Sequence, residues 1–175
     1  MDKLRWKSLV SGVDCPLDSP RPLSNEHWDF VAALSVSSLY LAKNQTYRGQ
    51  CLLVYDARHA ARPDQLSAQE WQAFCADLFV AQGAISRTVC PDHINIESLG
   101  NVVPHLHWHI VPRYWDDPRW GGRFGHPHSQ TWPRPASPRR SGNRSSENYK
   151  QPSRSTRRAA HAFEFDFAGI PCSSL

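Results

Sequence analysis

The chain has 175 residues, a length met by one domain or by one domain with a tail. Hydrophobic residues make up 40% and charged residues 21%, a globular balance that excludes a wholly disordered chain. No stretch approaches the ~18 consecutive apolar residues of a membrane-spanning helix. The polar start, Met1 to Lys7 running into Ser8 and Gly12, is not that of a secretory leader. The net charge of +4 is unevenly placed. Residues 1–122 carry 11 Lys and Arg against 13 Asp and Glu, whereas 123–175 carry 9 against 3. The basic pI therefore belongs to the last third and is no nucleic-acid signature of the folded part. Cys15, Cys51, Cys75, Cys90 and Cys172 are odd in number and scattered, which argues against a disulfide framework and for a reducing, cytoplasmic setting.

Residues 24–34 open with the cap-type pair Ser24-Asn25, and Trp28, Val31 and Ala32 follow at helical spacing. The pattern predicts a short helix. Val36 to Leu41 alternates as a strand, Asn44 to Gly49 is turn-like, and Cys51 to Tyr55 is a second, buried strand. Together they read as a hairpin. Ser67 to Glu70 is a capping-box pattern, and Trp71, Phe74, Cys75, Leu78, Phe79 and Ile85 recur at helical intervals. A helix over about 68–87 follows. His93 to Glu97 is a short strand, and His105 to Pro112 is another. Cys51, Cys75 and Cys90 read as small buried hydrophobes.

The texture changes after Gly122. Residues 123–158 are rich in Arg, Ser, Pro and His, and bury too little to offset their ordering entropy. The predicted organisation is a domain over 1–122, with its core in 24–120, and a largely disordered basic tail over 123–175. Within the tail, His126 and His128 read as an incidental pair, and Phe163 to Phe167 alternate like a short edge strand.

The sharp feature is His105-Leu106-His107-Trp108-His109-Ile110-Val111. On a strand the three histidines share one face, and Leu106, Trp108 and Ile110 share the other. A solvated stripe of imidazoles is a poor packing choice, because they repel when charged. A metal is a second reading, but the outer two histidines lie roughly 13 Å apart along a strand. A tetrahedral ion then takes two of them at most, with help from a residue such as His59 or Cys15. The third reading is nucleophilic catalysis. The central imidazole attacks phosphorus, its other nitrogen is fixed by a hydrogen bond, and its neighbours donate to phosphate oxygens.

At these residues the chain resembles the histidine-triad family of nucleotide hydrolases and transferases, whose signature is His-φ-His-φ-His-φ-φ with φ apolar. Residues 105–111 match at every position, and Pro112-Arg113 continues the pattern. Asn44 to Gly49, Leu52 to Tyr55 and Arg58-His59 resemble the family's hairpin and the basic segment after it. The likeness covers residues 24–120 and is strongest to bacterial members that resemble diadenosine polyphosphate hydrolases.

The resemblance implies an α+β fold, an antiparallel sheet of about five strands with one long helix on it, paired edge to edge in a homodimer. It makes His107 the nucleophile that forms a nucleotidyl-histidine, with His105 and His109 on the phosphates and His59 supporting them. Asn101 falls where many members carry a Gln that orients the leaving group. Asn95 is nearest to a family Asn, and Asn44 lies close to the ribose-binding position. The implied substrate is a dinucleoside polyphosphate such as diadenosine tetraphosphate, or a nucleoside phosphoramidate. The nucleophilic step requires no metal or other cofactor, although Mg²⁺ can accompany the polyphosphate. Two alternatives remain: nucleotidyl transfer to a phosphate or sugar phosphate, and a non-catalytic nucleotide-binding module.

Overall fold

The computed structural model describes residues 2–117 and 119–120. The expected tail over 123–175, the His126/His128 pair and the alternation at Phe163 to Phe167 lie outside the described residues. The elements in chain order are α1 (Lys3–Val10), β1 (Trp28–Ala33), β2 (Ser37–Ala42), β3 (Cys51–Tyr55), a 3₁₀ turn (Pro63–Gln65), α2 (Ala68–Val89), β4 (His93–Glu97) and β5 (His107–Arg113). The five strands form one antiparallel sheet in the order β1-β2-β3-β5-β4. This is the α+β architecture implied by the triad, with a single long helix on the sheet.

β3 lies mid-sheet and every one of its residues is buried. Its side chains alternate between two clusters. Cys51, Leu53 and Tyr55 join Leu39, Trp108 and Ile110 beneath α2. Leu52 and Val54 face the other way, with Tyr40, Trp28, Phe30 and Leu17. Phe74 of α2 stacks on Trp108 of β5, centroids 4.1 Å apart and rings 4° from parallel. Each such buried side chain stabilises the fold by about 1.5–3 kcal/mol.

α2 starts as its capping box predicts. Ser67 Oγ accepts from the Glu70 N–H at 3.2 Å, and the Glu70 carboxylate accepts from the Ser67 N–H at 2.7 Å. One helix position is unexpected for an apolar face. Asp77 is buried and accepts from the backbone N–H groups of Ser35 and Val36 and from the hydroxyls of Ser35 and Ser37, at 2.6–3.1 Å. A desolvated carboxylate with four donors is a directional clamp between helix and hairpin.

Three expectations need correction. Residues 24–34 do not form a helix. The Asn25 carboxamide oxygen accepts from the N–H groups of His27 and Trp28, both at 2.8 Å, so the cap-type residue closes a turn and the chain leaves it extended. Trp28 and Phe30 then alternate onto one cluster and Val31 onto the other, which is strand behaviour. The strand expected from His105 begins at His107. Cys90 is not a core residue: it caps α2 in the left-handed region, φ 46°. Cys51 is buried and Cys75 half-buried. Helix α1, capped by Asp2 on the N–H groups of Leu4 and Arg5, has no counterpart in the periodicity reading.

Candidate active site and histidine cluster

The face of the sheet opposite α2 carries His107 and His109. In antiparallel pairing, directly opposed residues point to the same side. His107 opposes Val54 and His109 opposes Leu52, so both imidazoles emerge beside the apolar side chains of β3. On the other flank, Glu97 of β4 opposes His109, and Asn95 opposes Val111. Sequence reasoning did not single out Glu97; only the register brings it beside the triad.

His107 is oriented by one bond. Its Nδ1 lies 2.6 Å from the backbone carbonyl oxygen of His105. A carbonyl can only accept, so Nδ1 carries the proton and Nε2 carries the lone pair. The ring of His109 meets that of His107 nearly edge to face, centroids 5.1 Å apart. Trp28 stands 6.4 Å from His109 on its other side. Burial holds both imidazoles below the ordinary histidine value. For His109 the descent reaches about 4, with the nearness of His107 adding to it. For His107 burial outweighs the bond to the His105 carbonyl, which by itself favours the charged form.

A cleft adjoins these two histidines. Leu17, Trp28, Tyr40, Leu52 and Val54 line it, together with the polar side chains of Arg21 and Asn25. Arg21 donates to the Tyr40 hydroxyl at 3.0 Å and pairs with Asp56, which pins the segment before β1 across the sheet.

His105 departs from the expected arrangement. It lies just before β5 and is 2% exposed. Its Nε2 donates to the Tyr55 carbonyl at 2.7 Å, and its Nδ1 faces Asp18 Oδ1 at 3.0 Å and Cys15 Sγ at 3.6 Å. The ring is therefore engaged at both nitrogens, by Tyr55 at one and by Asp18 and Cys15 at the other. His59, expected to support the triad, meets His105 edge to face at 5.4 Å. Its Nε2 donates to the Val10 carbonyl at 3.1 Å, and its Nδ1 lies 3.0 Å from the same Asp18 oxygen. Gly12, at φ +82°, lets α1 end against this ring: a Cβ there would stand 3.0 Å from His59 Cγ. Among the described residues, the donor atoms of Cys15, Asp18, His59 and His105 lie within 4.8 Å of one another, a set able to hold a metal ion. Asp18 was not anticipated. The signal for it was the Cys15-x-x-Asp18 spacing, which lacks the second cysteine of the usual zinc pairing.

The asparagines are spread out. Asn95 is half-buried on the triad face of edge strand β4. Asn101 is exposed in the connection from β4 to β5. Asn44 is exposed, and its carboxamide oxygen accepts from Thr46 N–H and hydroxyl at 3.0 and 2.7 Å, so it serves its own turn.

The family model described as HIT domain matches residues 30–116. Among solved structures, a histidine triad protein of Bradyrhizobium japonicum is similar at 26% identity and TM-score 0.54, over 57% of this chain and 74% of that one. A histidine triad protein of Sinorhizobium meliloti shares the fold at 21% identity and TM-score 0.54, over 61% of this chain and 79% of that one. One from Marinobacter aquaeolei does so at 24% and 0.50, over 57% and 72%. No curated protein matches the chain.

Proposed function

The chain belongs to the HIT family of histidine-triad proteins, and on that premise we propose that it is a nucleotide hydrolase acting through a covalent nucleotidyl-histidine at His107. The observation that carries the reading is the 2.6 Å bond from His107 Nδ1–H to the His105 carbonyl, which leaves the Nε2 lone pair to attack. Nε2 forms a bond to the α-phosphorus as the bond from phosphorus to the leaving group breaks, and the leaving group departs with the electron pair. Water then attacks the phosphorus, the N–P bond breaks, and the proton of water passes to solvent.

His109 sits beside the nucleophile and donates to a phosphate oxygen as charge spreads in the transition state. The apolar cleft walled by Trp28, Tyr40 and Leu52 takes the nucleobase, where the indole offers a stacking face. Asn95, on the same face, is the nearest side-chain amide for the ribose or leaving group. His105 acts through its carbonyl and not on the phosphates. The nucleophilic step requires no metal, because a neutral imidazole is itself the nucleophile; Mg²⁺ can accompany the polyphosphate.

The substrate class is a dinucleoside polyphosphate or a nucleoside phosphoramidate. β1 and β4 are the two edges of the sheet, and an edge-to-edge homodimer is part of the proposal. No helix among the described residues is long and apolar enough to cross a membrane.

The test is incubation of the full chain with diadenosine tetraphosphate, products resolved by chromatography. AMP plus ATP supports hydrolysis at an α-phosphate. If added inorganic phosphate diverts the nucleotidyl group into a nucleoside diphosphate, the enzyme is a transferase. Binding without any turnover, on this substrate and on a nucleoside phosphoramidate, overturns the catalytic reading.

A further inference from the structure

We propose that the cleft beside His107 and His109 selects a guanine-type base, with an acceptor oxygen at position 6, over adenine, and that the Tyr40 hydroxyl and the Asn25 carboxamide make the selection. This rests on the reading of the cleft as the nucleobase site, and adds which base enters it.

Most of the polar atoms around the cleft are already spent. Tyr40 is 7% exposed and forms part of the wall. Its hydroxyl oxygen accepts from Arg21 Nε at 3.0 Å. A hydroxyl also carries one proton of its own, and no side chain or carbonyl among the described residues accepts it. A buried donor of this kind is costly until a partner arrives. Accepting from a cation also polarises the O–H and strengthens it as a donor. Arg21 further donates to the Leu17 carbonyl at 2.5 Å and pairs with Asp56. Asp56 in turn accepts from the Ser38 hydroxyl at 2.5 Å, so both of its oxygens are engaged, and it is no part of the cleft wall.

Asn25 is committed in the same sense. Its carboxamide oxygen accepts from the N–H groups of His27 and Trp28, both at 2.8 Å. The turn therefore fixes which end of the amide is left over, and that end is the NH₂, which can only donate. Tyr40, Asn25 and Arg21 are the polar side chains of the wall, and the rest of it is apolar. Each of the three meets a ligand as a donor.

The purines differ on this point. Guanine shows two adjacent acceptors, O6 and N7, on one edge, whereas adenine shows N7 beside an N6 amine that donates. A wall of donors satisfies both guanine atoms and leaves the adenine amine facing other donors. A site built to hydrogen-bond its ligand rejects the analogue that lacks the partner more strongly than an apolar pocket does. The register gives the reach. Tyr40 opposes Leu52 and Leu52 opposes His109, so two strand spacings, roughly 10 Å, separate Tyr40 from His109. A nucleoside with its 5′-phosphate at the histidines and its base against Trp28 spans that interval.

The experiment uses the full chain and two readouts. Wild-type kcat/KM is compared for diguanosine, diinosine and diadenosine tetraphosphate, and the affinities of GMP, 7-deaza-GMP and AMP are measured by calorimetry. Guanosine and inosine, which share O6 and N7, should both exceed adenosine by at least ~10-fold, chiefly through KM. Loss of N7 in 7-deaza-GMP should weaken binding ~5-fold. Tyr40→Phe keeps the ring against Phe30 and removes the hydroxyl. It should cut the guanosine-to-adenosine ratio ~5-fold or more while kcat stays within a few-fold. Asn25→Asp keeps the acceptor that closes the turn and replaces the donor by an acceptor, so the preference should swing toward adenine. Melting curves check that both variants fold. Equal or better use of adenine by the wild type overturns the proposal, whatever the variants do. So does a guanosine preference that survives both substitutions in folded protein, or 7-deaza-GMP bound as tightly as GMP. Tighter binding of GMP than of AMP without turnover of any dinucleotide would sustain the base selection and sink the hydrolase reading instead.

Discussion

The backbone oxygen of His105 and Nδ1 of His107, 2.6 Å apart, decide which ring nitrogen of His107 keeps its lone pair. Because the acceptor belongs to the residue two positions earlier, a single turn of chain into β5 both buries the first histidine and aims the second. His107→Ala or His107→Gly should therefore abolish turnover while nucleotide affinity changes little, because the apolar cleft and His109 remain. Loss of an essential covalent step costs several orders of magnitude. Steady-state kinetics alongside equilibrium binding check this. Residual activity above a few per cent would mean that another group attacks.

Asp77 should be among the most costly polar residues to remove. Asp77→Ala leaves two backbone N–H groups and two hydroxyls without their acceptor at the junction of α2 with the turn between β1 and β2. Buried donors left unpaired cost about 1–3 kcal/mol each, less what water recovers, so a net loss of about 2–4 kcal/mol is expected. Asp77→Asn, which keeps one acceptor oxygen, should lose about half of that. Denaturant midpoints at constant slope are the measurement. A loss under about 1 kcal/mol in the alanine variant would show that the clamp is solvated and dispensable.

Strands β2 to β5, the long helix and the histidine triad were legible in the sequence, because each rests on local pattern. Alternation marked β2 and β5, the Ser67/Glu70 box marked the start of α2, and the triad spacing marked His107. What failed needed contacts between distant segments. Asn25 looked like a helix cap and became a strand-entry turn, because the residues after it fill two faces, Trp28 and Phe30 one and Val31 the other. His105 fitted a strand by spacing, yet it lies just before β5, where its ring engages Tyr55, Asp18 and Cys15. Asp77 had no local signature, being an acid on an apolar helix face, and Asp18 had only its spacing from Cys15, since it lies 41 residues before His59, the nearer of its two histidines.

Acid should destabilise the fold through His109. Its folded value lies at about 4, below the 6.5 of a free imidazole, because burial disfavours the cation. Between those values the unfolded chain binds a proton that the folded chain refuses. Stability from this group is complete above pH 6.5, is lost as pH falls from 6.5 towards 4, and changes no further below that. The size is on the order of 2–3 kcal/mol. Glu70, held down to about 2 chiefly by the Arg58 guanidinium, adds to the loss only below pH 4.5, so the windows separate. Unfolding free energies at pH 7 and pH 4.5 should differ less in His109→Gln than in the wild type. Equal slopes would mean that the imidazole is hydrated in the native state.

Trp28 should set affinity and not rate. It lines the cleft, stands 6.4 Å from His109, and reaches there because Asn25 ends its turn at the first residue of β1. Stacking of a base on an aromatic ring contributes about 1–3 kcal/mol. Trp28→Leu keeps apolar volume against Tyr40 and Leu52 but removes the flat face. KM for diadenosine tetraphosphate should rise about 10-fold or more, within the range of that energy, while kcat stays within a few-fold, because Nε2 of His107 and its orienting bond are untouched. The discriminating measurement is the split between the two constants, with a melting curve to show that the sheet is intact. A fall in kcat at unchanged KM would place Trp28 against the reacting phosphate, through His109, and would move the nucleobase out of this cleft.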